Sequence, residues 1–221
     1  MDIGYIKDKV NDRLAKPMDV RYKYAILVPI IEKNNRLELI FQVRAKTLNR
    51  QPGEISFPGG EVEKGETFKE AAIRETMEEL NILEENINVI GELDYIVSYY
   101  NSTVHGFLGT IEGVNVDKIK PNKAEVDHIF TVPLDFFLEN EPDIYYLDLL
   151  IQNSAEFPYN LIPNGENYKW GKGKHTVHFY HYEDYIIWGY TAKVVKNLIE
   201  IIKSHWISGF YLSPIILFLT I

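Results

Sequence analysis

The sequence predicts an α+β protein of one domain, and three stretches carry that expectation. Residues 22–31 and 37–44 are short runs of strand formers around the polar Lys33-Asn34-Asn35-Arg36, the pattern of a hairpin. Residues 60–82 hold a helix whose start is marked by Thr67 and Glu70, the spacing of a capping box. Val194, Leu198 and Ile201 lie on one face of a closing helix that runs through Ile202. Strand-like and helical stretches alternate with no internal repeat and no second-domain boundary. The 221 residues suffice for one sizeable core.

The elements follow in order. Ile3, Ile6, Val10 and Leu14 recur at a helical period, so residues 3–15 are expected to form an amphipathic helix that Lys16-Pro17 ends. Charges run throughout this N-terminal stretch, which has no apolar run of the signal-peptide kind. After the hairpin, Arg44, Lys46 and Arg50 form the densest cationic patch upstream of the acidic helix, and such cations are candidates to receive phosphates. Phe57-Pro58-Gly59-Gly60 is a glycine turn. In the helix that follows, Ile73, Met77 and Leu80 give one apolar stripe, and Glu75, Glu78 and Glu79 fall on the opposite face. Like charges one turn apart, as at Glu75 and Glu79, cost roughly 0.2–0.5 kcal/mol per pair. A hard divalent cation, Mg²⁺ or Mn²⁺, turns that repulsion into a site.

Residues 88–97 and 104–112 read as strands joined through Tyr99-Tyr100-Asn101-Ser102, either a hairpin tip or a loop over the site. The two tyrosines either pack on the sheet edge or stack on an adenine ring. A polar loop covers 113–123, and a short helix is expected near 134–138. Residues 144–151 and 176–182 read as further strands, separated by a long Gly- and Pro-containing loop. His175, His178 and His181 recur every third residue, which on a strand sends neighbours to opposite faces and argues against a three-histidine metal site. Residues 206–221 carry no charge; they are expected to pack on the domain or on a second subunit of a homodimer, with membrane association the competing reading.

Composition narrows the function. A formal net charge of −9 argues against broad nucleic-acid binding, so an anionic substrate has to be met locally by metal and a few cations. The absence of cysteine excludes disulfides, thiolate metal sites and cysteine nucleophiles, and it suits a reducing cytoplasm.

Gly60, Glu66, Arg74, Glu75, Glu78, Glu79 and Ile82 fit the Nudix box, G-x5-E-x7-R-E-U-x-E-E-x-G-U with U a bulky apolar residue. Thr76 stands at a U position, and Asn81, which tolerates the left-handed conformation that ends helices, replaces the last glycine. The chain therefore resembles the Nudix hydrolase superfamily. Arg44, Arg50, Gly53 and Phe57-Pro58-Gly59-Gly60 are similar to the signature that precedes the box in the coenzyme A pyrophosphatase branch, with Ala45 in place of its serine and Asn49 in place of one arginine. Glu125-Val126 and Trp188-Gly189 with Thr191-Ala192 resemble later segments of that branch, so the likeness covers residues 25–202.

The resemblance implies an α/β/α sandwich, a mixed sheet between helices. It implies Mg²⁺- or Mn²⁺-dependent hydrolysis of a nucleoside diphosphate linkage. The substrate it points to is coenzyme A or acyl-coenzyme A, with ADP-ribose or a dinucleoside polyphosphate as the alternative. By the family pattern Glu78 and Glu79 are the principal metal ligands, Glu75 ligates or accepts the proton of the attacking water, and Glu66 assists through water. Glu125 is the candidate further ligand or base. Arg44 and Arg50 are the candidates for recognising coenzyme A, and Gly59 and Gly60 permit close backbone approach to metal and phosphate. Arg74, with Glu70 and Glu78 at i−4 and i+4, is expected to orient carboxylates. The Nudix-fold isomerases use a catalytic cysteine, which this chain lacks. A ligand-sensing Nudix regulator would show a degenerate box and an added basic domain, whereas this box keeps its carboxylates.

Overall fold

The structure, a computed structural model, describes residues 2–210, with side chains through Ser204. Its main sheet is mixed. β1 (Tyr22–Lys33) and β2 (Arg36–Arg44) form the expected hairpin. Asn34 and Asn35, both at positive φ, make its two-residue turn, a conformation that asparagine tolerates better than most residues. β1 also runs parallel to β7 (Ser102–Ile111), in register from Tyr22 against Ser102 to Ile30 against Thr110. Two short strands, β3 (Ile55–Ser56) and β4 (Gly59–Glu61), pair with β2 and β1 respectively. β5 (Ile87–Glu92) and β6 (Ile96–Ser98) both pair with β7, and β8 (Val126–Pro133) pairs with β2.

Because β1 lies inside the sheet, both of its faces are covered, and its apolar residues run without interruption. Ala25, Leu27 and Ile31 face α2 (Phe68–Leu80), while Val28 and Ile30 face the opposite core. That second core is filled by α3 (Leu134–Glu139) and α4 (Gly189–Phe210). The α/β/α sandwich is therefore present. A second, three-stranded sheet adds to it: β9 (Asp143–Leu149), β10 (Gly173–Tyr182) and β11 (Tyr185–Trp188), all antiparallel. Phe130 of β8 and Tyr185 of β11 stack at 3.7 Å and join the two sheets.

Four expectations change. α1 (Ile3–Val10) stops well before residue 15 and buries no side chain. The stretch 88–97 is two strands rather than one, with a register shift between Val89 and Gly91. The buried side of α2 is Ala71, Ala72, Thr76, Glu79 and Leu80, while Ile73 and Met77 are only half-buried. Two alanines let the helix lie close to the sheet, and this rotates Glu79 inward. α4 continues beyond Ile202 to Phe210, and the remainder of the apolar tail, 211–221, lies outside the described residues. Among the described residues, no helix is long and apolar enough to cross a membrane.

Candidate active site

The site begins with a helix start and a glycine turn. Thr67 caps α2 through a complete capping box with Glu70, so Glu70 is turned back toward Thr67 and does not pair with Arg74 as its spacing suggested. Arg74 is held instead by Glu66, whose two oxygens accept from Nε at 2.9 Å and Nη2 at 3.2 Å. Its Nη1 donates to Glu75 Oε1 at 2.8 Å and to Glu78 Oε2 at 3.2 Å. Nη2 also donates to the Glu61 carbonyl. With its donors spent on carboxylates and backbone, Arg74 is a positioning residue. The same Arg74 hydrogen bonds hold the Glu66 carboxyl below the usual range.

Gly59 and Gly60 earn their places by close approach. A Cβ on Gly59 would lie 2.4 Å from the Ala25 carbonyl oxygen, and one on Gly60 would lie 2.3 Å from the Glu75 carboxyl carbon. The freed space lets the Gly59 N–H reach Glu79 Oε2 at 2.9 Å. A second donor, Gln42 Nε2, reaches the same oxygen at 2.9 Å and also donates to Ser56 Oγ. Glu79 is 3% exposed, and burial pushes its carboxyl up to about 7 against the pull of these two donors, with Glu75 adding to the rise. Burial likewise raises Glu75, opposed by Arg74 and reinforced by Glu78 and Glu125.

Glu125 is distant from α2 in sequence, yet the fold brings its charge within range of Glu75. The loop that carries it is tied to the C-terminal end of the helix. Asn81 adopts the left-handed conformation that ends α2, and its Nδ2 donates to the Lys120 carbonyl. The Asn122 N–H donates to the Glu79 carbonyl, and the Glu125 carbonyl accepts from the Ala45 N–H.

Beside the carboxylates is a cavity of about 420 Å³, lined among others by Arg44, Ser56, Tyr99, Tyr100, Trp188 and Tyr190. Arg44 stands at the end of β2, where the register against β8 shifts, and its charge acts on Glu79 from the cavity wall. Arg44 Nη2 lies 3.5 Å from the Arg50 carbonyl oxygen. Arg50 itself is exposed and is absent from the cavity wall; it enters the site through that carbonyl. Tyr99 and Tyr100 lie at the tip of the β6–β7 hairpin, exposed and on the cavity wall. The first turn of α4 closes the cavity. Tyr190 donates from its hydroxyl to Ser98 Oγ at 2.8 Å, and Thr191 Oγ1 donates to the Ile55 carbonyl at 3.1 Å.

A profile of the NUDIX domain matches residues 21–148. The chain belongs to the Nudix family. It is 34% identical over 136 residues to mouse Peroxisomal coenzyme A diphosphatase NUDT7, covering 61% of this chain and 56% of that protein. It is 30% identical over 178 residues to Uncharacterized Nudix hydrolase NudL of Photorhabdus laumondii, covering 80% and 82% of the two chains. Human Mitochondrial coenzyme A diphosphatase NUDT8 is 30% identical over 123 residues, covering 55% of this chain and 52% of that protein. The chain thus spans little more than half the length of the two named diphosphatases.

Nudix hydrolases generally need a divalent metal ion such as Mg²⁺ or Mn²⁺. Among the described residues, no three His, Asp or Glu side chains stand gathered closely enough to hold one, and Arg74 donates to both Glu75 and Glu78. The donor set nevertheless fits a hard cation. Its groups are carboxylate oxygens on successive turns of one helix, and two of them are held in an environment that disfavours their charge. A cation would remove that penalty.

Two parts of this Nudix site were not read from the sequence. Gln42 is one, although a lone polar residue within the apolar run Leu39–Val43 was a legible signal. The cavity wall from the second sheet is the other, and only Trp188-Gly189 announced it.

Proposed function

We propose that the protein hydrolyses the diphosphate linkage of coenzyme A or acyl-coenzyme A, with Mg²⁺ or Mn²⁺, to 3′,5′-ADP and 4′-phosphopantetheine or its acyl form. The observation that carries this reading is the junction of the carboxylate cluster with the cavity through Arg44, whose charge reaches Glu79. The likeness to the two coenzyme A diphosphatases supports the choice of substrate.

Glu75, Glu78 and Glu79 would hold the ion, Glu79 through Oε1 because both of its protein donors address Oε2. Both oxygens of Glu66 are taken by Arg74, so its part is to fix that guanidinium, and any approach to the ion runs through water. The ion supplies charge neutralisation at the phosphates and lowers the pKa of a water molecule. Glu75, with its raised carboxyl, takes the proton from the attacking water, and Glu125 completes the oxygen set. As the water oxygen bonds to phosphorus, the bond to the bridging oxygen breaks, and two phosphomonoesters leave. Arg44 binds the phosphates from the cavity side; Gly59 and Gly60 let their turn pack against β1 and the Glu75 carboxyl. Arg50 contributes by holding Arg44.

The test is a product analysis by mass after incubation with Mg²⁺ or Mn²⁺ and coenzyme A, ADP-ribose, NADH or diadenosine polyphosphates. Dominant 3′,5′-ADP and phosphopantetheine support the reading. Preferred cleavage of ADP-ribose or a polyphosphate would keep the chemistry and overturn the substrate.

A further inference from the structure

A second cavity lies apart from the first, and its wall shares no residue with the catalytic cavity or the carboxylate cluster. Strand pairing builds it. Thr103 and His105 alternate along β7 and so share a face, and the parallel register sets Lys23 of β1 beside Thr103. Ala25, beside His105 in that register, packs with α2, so this is the α2 side of the sheet. The helix begins at Phe68, which lines a cavity of about 400 Å³, within the size range of small-molecule sites. The segment between α1 and β1 completes the wall and supplies Lys16.

Two kinds of group line this space. The first is a row of nearly parallel rings. Phe68 and His105 stack with centroids 3.6 Å apart, and His105 and Tyr95 stack at 4.6 Å. Glu92 steadies the row, its Oε1 lying 2.7 Å from His105 Nδ1. Tyr95 leaves half of its surface open. The second kind is polar. Lys16 and Lys23 are exposed, and among the described residues neither makes an ion pair or a side-chain hydrogen bond. Thr103 is 2% exposed, and its hydroxyl likewise has no protein partner among the described residues. A hydroxyl so deeply placed ordinarily finds one, and a ligand in the cavity would provide it. In a chain of net charge −9, no carboxylate lines this wall. The adjoining cavity, which shares Lys23 and Phe68, does contain Glu61, Glu63 and Glu66, so negative charge on a ligand belongs at Lys16 and Lys23 instead.

We propose that this cavity is a second, non-catalytic nucleotide site that takes a nucleoside monophosphate. The base stacks on Tyr95, Lys16 and Lys23 receive the phosphate, and Thr103 supplies a hydrogen bond at the inner wall. An inorganic anion would leave the ring row unused, and a neutral aromatic compound would leave both lysines unused. The site does not depend on which diphosphate the carboxylate cluster cleaves. It does adjoin that cluster's scaffold, because residues 61–66 wall the neighbouring cavity and hold Arg74 through the Glu61 carbonyl and the Glu66 carboxylate.

The experiment is a calorimetric titration of the full chain with 5′-AMP in chelator, so that no metal ion bridges the nucleotide to the carboxylates. Binding is expected with a Kd of about 1 mM or tighter. Lys16→Gln/Lys23→Gln should weaken it at least about tenfold, the scale of hydrogen bonds to charged groups. Tyr95→Leu should weaken it at least about fivefold, the lower end of base–aromatic stacking. Arg44→Ala, which alters only the catalytic cavity, should leave the affinity within about twofold. The thermal midpoint of each variant checks its fold. Absence of binding by the original chain overturns the site. So does binding that is lost in Arg44→Ala and kept in the lysine variant, which would put the nucleotide in the catalytic cavity. Inorganic phosphate bound as tightly as AMP overturns the nucleotide assignment, because the rings would then contribute nothing.

Discussion

Gln42 is fully buried in β2 and spends its amide N–H groups on Glu79 Oε2 and Ser56 Oγ. Sharing Glu79 Oε2 with the Gly59 N–H, it fixes the direction in which the other oxygen points. Groups that orient a metal ligand in this way typically affect metal affinity or activity by about 10–100-fold. Gln42→Leu, close in volume and folded around the same strand, is expected to weaken Mg²⁺ binding by about tenfold in a calorimetric titration without substrate. Unchanged Mg²⁺ affinity in the folded variant would remove Gln42 from the site. Glu78 is the contrasting case, exposed and held only by Arg74 Nη1. Glu78→Gln should lower kcat by on the order of 10³ with an undisturbed fold, because it removes an ion ligand and adds no strain. Retained activity would overturn the ligand assignment. The carboxylates could be read from sequence because they repeat along one helix. Gln42 stood out as a lone polar residue in an apolar run, but its role could not be read, because its partner lies 37 positions away and only the folded sheet brings them together.

At the level of the element, α2 is a helix with strong ends and an unusual middle. Its capping box and the left-handed Asn81 were both readable, since caps depend on residues three or four apart. Its buried side was misread. Ile73 and Met77 suggested the core stripe, yet Ala71 and Ala72 make the close approach, and Glu79 is carried into the interior with them. Thr76, where the family pattern has an apolar residue, is buried there too, its hydroxyl satisfied by the Ala72 carbonyl at 2.6 Å. The inward carboxyl has a consequence for stability. Between the ordinary Glu value of 4.5 and about 7, Glu79 is protonated in the folded chain and ionised in the unfolded one. Raising the pH through this window therefore favours unfolding. The penalty is absent below 4.5 and complete above 7, and it amounts to about 3.5 kcal/mol at about 1.4 kcal/mol per pH unit. In chelator, the original chain should lose about that much stability relative to Glu79→Gln between pH 4.5 and 8, measured by urea unfolding. Parallel pH profiles would show that Glu79 is ionised at no cost.

In the proposed reading, the whole molecule separates the carboxylate cluster from the walls of the cavity. The carboxylates come from α2 and the loop before β8. The cavity is assembled from β2, β3, the β6–β7 tip, the second sheet and the first turn of α4. Sequence made the first set visible and hid most of the second, because a wall gathered from residues far apart in the chain has no local spacing to betray it. Thr191 and Ile55 are 136 positions apart, and Tyr190 and Ser98 are 92 apart. Those two hydrogen bonds pin α4 to the strands on the far side of the cavity, and neither touches α2. Removing both, as Tyr190→Phe/Thr191→Val, should cost about 1 kcal/mol per bond in stability. It should also loosen the wall, so that KM for the proposed coenzyme A substrate rises several-fold while Mg²⁺ affinity stays within twofold. Arg44→Ala should likewise raise KM at least tenfold, and Arg50→Ala less, since Arg50 meets the cavity only through a carbonyl that alanine keeps. A loss of Mg²⁺ affinity in the Tyr190/Thr191 variant, matching its loss in KM, would mean that wall and carboxylates move as one body. The division between binding and chemistry would then fail.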